Sequence, residues 1–165
     1  MNRCSWACGS DELMRDYHDT EFGKRKNSDN ALFEKLCLEC FQAGLSWRTV
    51  LYKREAFRRA FHGFDPSQVA RMTQQDSERL MQDSSIIRNR RKIDAAIHNA
   101  RLHVVQFPRE GSFTAYVYGF TDGNTLCRDL KKRGYRFLGP TICDSFLGSV
   151  GAIEGHEPNC DLYNG

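Results

Sequence analysis

Four residues at the two ends of the chain have the chemistry of a metal site: Cys4 and His18 near the start, His156 and Cys160 near the end. Two thiolates and two imidazoles make a complete tetrahedral set for zinc, with no position left for water. The spacing His156-x-x-x-Cys160 sets the second pair one helical turn apart, within reach of a single ion. Thiolates bind only when deprotonated, so such a site would couple both chain ends to folding. Spacing also admits a plainer reading, with Cys4 a free thiol and His156 an ordinary tail histidine, because the pairs do not follow the finger pattern. Cys8, Cys37, Cys40, Cys127 and Cys143 read as small core residues. Cys37 and Cys40 have the spacing of a redox or metal pair but sit inside a strongly periodic helix.

A second group lies in the segment Leu38-Glu-Cys-Phe-Gln-Ala-Gly-Leu-Ser-Trp47. On a helical wheel Glu39 falls beside Leu32 and Leu36, at the edge of the apolar arc. A carboxylate there is either a boundary residue reaching solvent or a half-buried group with a function. Gly44 can hold a turn that presents Leu45 outward, and apolar wedges of this kind unstack DNA. Trp47 offers the aromatic face on which an extruded base stacks. Both residues could equally pack into the core.

The elements that would carry these groups are helical. Asn30 can cap a helix from Ala31 to about Gln42, with Leu32, Phe33, Leu36, Cys37 and Cys40 as its apolar stripe. Gly44 breaks it, and Ser46 can cap the next, where Trp47, Val50, Leu51, Phe57 and Phe61 recur at helical spacing. Asp65-Pro66 is a cap followed by proline at the first helical position. Thr73 and Asp76 resemble a capping box. A tight turn is expected near Ile87 to Arg90, followed by a helix from about Arg91 to His103. Further helices are expected at Phe113 to Gly119, Thr125 to Arg133 and Thr141 to Val150. Tyr135 to Leu138 is the nearest approach to a strand and is short, so the class is all-α.

At 165 residues with 40% hydrophobic content, the chain supports one domain, residues 1–165, with a real core. A net charge of +3 permits a nucleic-acid partner without demanding one. The basic residues cluster at Lys24 to Lys26, Arg58-Arg59, Arg88 to Lys92 and Lys131 to Arg133, and each cluster could also be a solvated helix face. There is no apolar run of membrane-spanning length and no signal-peptide core, so an intracellular protein is expected, cytoplasmic if bacterial. Seven irregularly spaced cysteines exclude a regular secreted disulfide framework. A monomer is the default.

Across nearly its whole length the chain resembles the 3-methyladenine DNA glycosylase I (TAG) family. The resemblance is carried by Met1 to Trp6, Tyr17-His18-Asp19, Gln42 to Trp47, Ile86 to Ile93, Lys131 to Gly134 and His156-x-x-x-Cys160, in the family's order. It implies a helix-hairpin-helix glycosylase fold with the hairpin near Ile87 to Arg90, and one structural zinc held by Cys4, His18, His156 and Cys160. Glu39 and Tyr17 are implied as the central site residues, with Trp47, Trp6, Phe22 and Ser145 around the base. Gly44, Leu45, Arg88, Arg90 and Lys92 are implied on the DNA side.

The implied reaction is excision of N3-methyladenine from alkylated double-stranded DNA by hydrolysis of the N-glycosidic bond. Free 3-methyladenine would be the product, and the lesion range could extend to N3-methylguanine. The alternative from the same residues is a non-catalytic, zinc-stabilised binder of damaged DNA or free methylated base. A third reading, a zinc-bound helical interaction module, needs no DNA. The sequence departs from the family at Phe22 (usually tryptophan), Met14 (often tyrosine), Asp144 (usually aromatic) and Gly148 (usually glutamine). The connection from Phe120 to Thr125 is also shorter than the family's.

Overall fold

A computed structural model describes residues 1–165. It contains ten α-helices and no strand: α1 (Glu12–Thr20), α2 (Asp29–Gln42), α3 (Trp47–Tyr52), α4 (Arg54–Ala60), α5 (Pro66–Ala70), α6 (Gln74–Leu80), α7 (Arg90–Gln106), α8 (Ser112–Val117), α9 (Gly123–Lys132) and α10 (Pro140–Ser149). No helix is long and apolar enough to cross a membrane.

The architecture turns on α2. Phe33, Cys37, Leu38 and Phe41 pack into one apolar cluster with α4 to α7, while Leu32, Leu36 and Cys40 pack into a second with α8 to α10. A helix with two cores has little surface left for solvent. Its remaining face carries Lys35 and Glu39, both buried. The apolar stripe expected for this segment is therefore nearly a full belt.

Local chemistry sets most helix starts. Asp65 caps α5 with Pro66 at the first position, and Thr73 and Asp76 form the expected capping box of α6. Ser28, not Asn30, caps α2, since its hydroxyl accepts the Ala31 N–H. That frees Asp29 to act at a distance, where its carboxylate accepts the backbone N–H groups of Gly111 and Thr114, both at 2.9 Å. Burial pushes the Asp29 carboxyl upward, but these bonds and the Thr114 hydroxyl outweigh it and hold it low. Helix α8 begins at a glycine without a cap of its own, and Asp29 serves it from across the fold.

Three further expectations are corrected. The helix begun at Ser46 ends at Tyr52, and α4 restarts beyond Lys53. The connection into α7 is not a tight turn near Ile87 to Arg90 but the longer stretch from Met81 to Asn89, because α6 already stops at Leu80. Asn89 caps α7, which runs on to Gln106. Among the cysteines expected in the core, Cys8 is exposed and the other four are buried.

Candidate active site and terminal cluster

Glu39 projects from α2 into a cavity of about 580 Å³, within the range that small-ligand sites occupy. Trp6, Tyr17, Phe22, Trp47 and Ser145 line the same cavity. Six residues expected around a base, from four separate parts of the chain, thus meet on one wall system. The rings support one another: Tyr17 and Trp47 lie 5.2 Å apart between centroids, and Trp6 and Phe22 lie 5.0 Å apart, edge to face.

The departures Met14, Asp144 and Gly148 also sit on this cavity. Asp144 accepts the Gly123 N–H at 2.8 Å, so the start of α9, where the short connection ends, is fastened to the cavity rim. Gly148 lets the tail come close. A Cβ there would meet the Gly155 Cα at 3.1 Å, and Ile153, Glu154 and Gly155 occupy the wall beside it. The tail stands where a longer side chain would reach.

Glu39 is 5% exposed, and burial pushes its carboxyl above the usual range. Opposing this is Lys35, one turn earlier on α2, whose Nζ lies 3.3 Å from Glu39 Oε1. Lys35 is a site residue that sequence reasoning missed. At four residues' spacing the pair looks like ordinary surface charge, and only the double core around α2 buries it. Gln42, also on the cavity, was legible as sharing Glu39's helical face.

Gly44 adopts φ +78°, a left-handed conformation that favours glycine, and the turn leaves Leu45 43% exposed. Arg88 is exposed, and Arg90 pairs with Glu78 at 3.3 Å on the surface. Lys92 corrects its expectation as a DNA contact. It is 5% exposed, and its ammonium donates to the Phe41 and Ala43 carbonyls at 2.9 and 2.6 Å. A cation at those carbonyls satisfies the C-terminus of α2 instead of reaching a phosphate.

At the chain ends Cys4, His18 and Cys160 form a buried group whose donor atoms all lie within 4.8 Å of one another. The Glu157 N–H donates to Cys4 Sγ and the Leu162 N–H to Cys160 Sγ, at 3.3 and 3.4 Å. Asp19 contacts His18 Nδ1 at 2.9 Å and is itself gripped by Arg3, which holds its carboxyl far below the usual range. Asp19 was another missed supporting residue, although it directly follows a proposed ligand. His156 stands beside the trio with its ring 5.4 Å from that of His18, and its Nε2 is buried without a partner. Burial pushes the Cys4 thiol up to about 11, so a cation is needed to make it a thiolate at neutral pH.

An all-helical domain with an aromatic cavity and one buried carboxylate defines a binding site for a flat, polar ring. The chain belongs to the methyladenine glycosylase family, whose model matches residues 6–163. It is 41% identical to DNA-3-methyladenine glycosylase 1 of Escherichia coli K12, over 100% of this chain and 98% of that one. A crystal structure of 3-methyladenine DNA glycosylase I (TAG) superposes with a TM-score of 0.91 at 39% identity, covering 99% and 100% of the two chains. A structure describing 3-methyladenine recognition by the Staphylococcus aureus enzyme superposes at 0.90 with 33% identity, covering 100% and 98%.

Proposed function

We propose that this protein is a DNA-3-methyladenine glycosylase that hydrolyses the bond between N3-methyladenine and deoxyribose in alkylated double-stranded DNA. The observation that carries this reading is the placement of Glu39, Tyr17 and Trp47 on one aromatic cavity. A base methylated at N3 is cationic while attached to the sugar and is already a good leaving group. The protein then has to select, orient and desolvate it. Glu39 accepts hydrogen bonds from the base edge and favours its positive charge, an interaction strengthened by burial. Trp47 stacks on the ring and Tyr17 fixes its orientation, while Trp6, Phe22 and Ser145 complete the enclosure. The other cavity carboxylates are engaged elsewhere: Asp144 by Gly123, and Glu154 by His156 and Asn164.

Leu45 on its glycine turn is suited to enter the duplex where the base leaves it. Arg88, Arg90 and the stretch from Met81 to Asn89 leading into α7 supply the phosphate-facing side, in the role of a helix-hairpin-helix. The donors at the chain ends fit one structural zinc ion. Cys4, His18 and Cys160 give three ligands, and the unpartnered Nε2 of His156 gives the fourth. Bound there, zinc would supply the charge that keeps both sulfurs as thiolates and ties the termini together.

The test is release of free methylated purines from methylated duplex DNA by the purified protein and by Glu39→Ala. Wild type is expected to release N3-methyladenine, and the variant to lose at least about 100-fold in rate. A folded wild type that binds this DNA and releases no base would leave the binding-only reading in its place.

A further inference from the structure

One ammonium touches all three side chains that the proposed reaction assigns to the base. Lys35 Nζ donates to the Tyr17 hydroxyl at 2.6 Å, lies 3.3 Å from Glu39 Oε1, and sits 3.3 Å from the centroid of the Trp47 ring. An ammonium has three protons, and here it has three acceptors: a hydroxyl oxygen, a carboxylate and a π face. Lys35 is 7% exposed and does not line the large cavity. It lines a smaller one of about 90 Å³ behind the wall, and Tyr17 and Trp47 face both spaces. Its contacts therefore come from the side opposite a bound base.

We propose that Lys35 is a positioning residue for base excision, holding Glu39 as a carboxylate and fixing Tyr17 and Trp47 from behind the cavity. The proposal rests on the excision reading above. A buried carboxylate without a cation neutralises itself, and Lys35 is the cationic group within ion-pair distance of Glu39. Other charged or titratable groups facing Lys35 are Tyr17 of α1, Glu21 just beyond its end, Lys26, Glu34 of α2, and Arg54 and Arg58 of α4. Four of these cancel in pairs, Glu21 with Arg54 at 2.8 Å and Glu34 with Arg58 at 2.6 Å. Lys26 is left over and acts on Lys35, whereas the cation that acts on Glu39 is Lys35 itself.

Burial pushes Lys35 down to about 8 and Glu39 upward, and each draws the other back toward its charged form. The bond to Lys35 also uses the Tyr17 oxygen as an acceptor, which turns the hydroxyl proton outward as a donor. Oε1 of Glu39 is the oxygen held, which leaves Oε2 outside the ion pair.

The experiment follows the Glu39 carboxyl by carbon-13 NMR titration, assigned through Glu39→Gln, in wild type, Lys35→Met and Lys35→Gln. Methionine removes the charge, and glutamine removes it while keeping a hydrogen-bond donor, so glutamine carries the test if methionine fails to fold. In both variants the apparent Glu39 pKa is expected to rise by about one unit or more. The acid limb of N3-methyladenine release is expected to rise with it, and activity to recover at higher pH. A folded Lys35→Gln protein in which Glu39 titrates as in wild type would overturn the proposal. If wild type releases no methylated base, the excision reading falls, and the NMR comparison alone still decides whether Lys35 keeps Glu39 charged.

Discussion

The cavity and the terminal cluster share a wall of rings, yet they are built in opposite ways. Trp6 meets His18 at 5.2 Å and Phe22 meets His156 at 5.0 Å, so cavity residues and metal-type ligands touch directly. The cavity's polar centre, Lys35 with Glu39, rides on a single helix set between two apolar cores. The cluster gathers segments from positions 4, 18, 156 and 160, and the tail that supplies two of its members has no helix. One arrangement draws its geometry from packing around a continuous backbone. The other needs groups that close on each other across the whole chain. The lesson is that recognition and fastening can fail separately, even when they are neighbours.

The largest expected effect comes from breaking the fastening. Cys160→Ser, or removal of bound metal by a chelator, is expected to cost roughly 4 kcal/mol or more, as losses of metal sites do. Thermal unfolding would measure it. Hydrogen exchange should rise first in residues 1–8 and 152–163, while the α2 amides stay protected. Loss of protection in α2 at the same metal concentration would erase the contrast between the two regions.

Acid probes the frame independently of both. His103 is buried among Phe33, Phe107 and Phe113, and burial pushes it down to about 4 from 6.5. Below pH 6.5 the unfolded chain takes up a proton that the folded chain refuses until about pH 4. Stability from this group is complete above 6.5 and falls across that window by about 3 kcal/mol. Melting curves at pH 7 and pH 4.5 should separate wild type from His103→Gln, with the variant losing less.

A smaller effect distinguishes Lys92 from its exposed neighbour. Lys92→Met is expected to cost about 2 kcal/mol of stability through the freed α2 carbonyls and to leave the salt dependence of DNA binding unchanged. Arg88→Ala is expected to leave stability within about 0.5 kcal/mol and to lower the salt slope by about one phosphate contact. An altered slope for Lys92→Met would return it to the DNA side.

Much of the frame was readable because its signals are local. The Asp65-Pro66 start, the Thr73 and Asp76 box and the all-helical class need only short-range chemistry. Glu39 and Trp47 stood out within one segment, but Trp6, Tyr17, Phe22 and Ser145 came from family resemblance, since nothing in their spacing joins Trp6 to Ser145. What stayed hidden depends on surroundings that a sequence does not print. Lys92 belonged to a basic run and looked solvated, although Ile93, Ala96, Asn99, Ala100 and His103 continue its buried side of α7. Glu39 was legible only as a boundary carboxylate, and Lys35 not at all, because the burial around α2 comes from helices some of which lie more than 100 residues away. Helix α1 was missed because its buried members, Met14, Tyr17 and His18, are few and set among charges.

The close approach of Gly148 and Gly155 has a consequence for folding. With Trp6 on one side and Ile153 to Gly155 on another, the cavity is walled by segments far apart in sequence. Helix α2 can present Glu39 from local contacts, but the enclosure around it closes only when these distant segments meet. Competence to hold a base would therefore arrive late in folding, after the helix that carries its carboxylate.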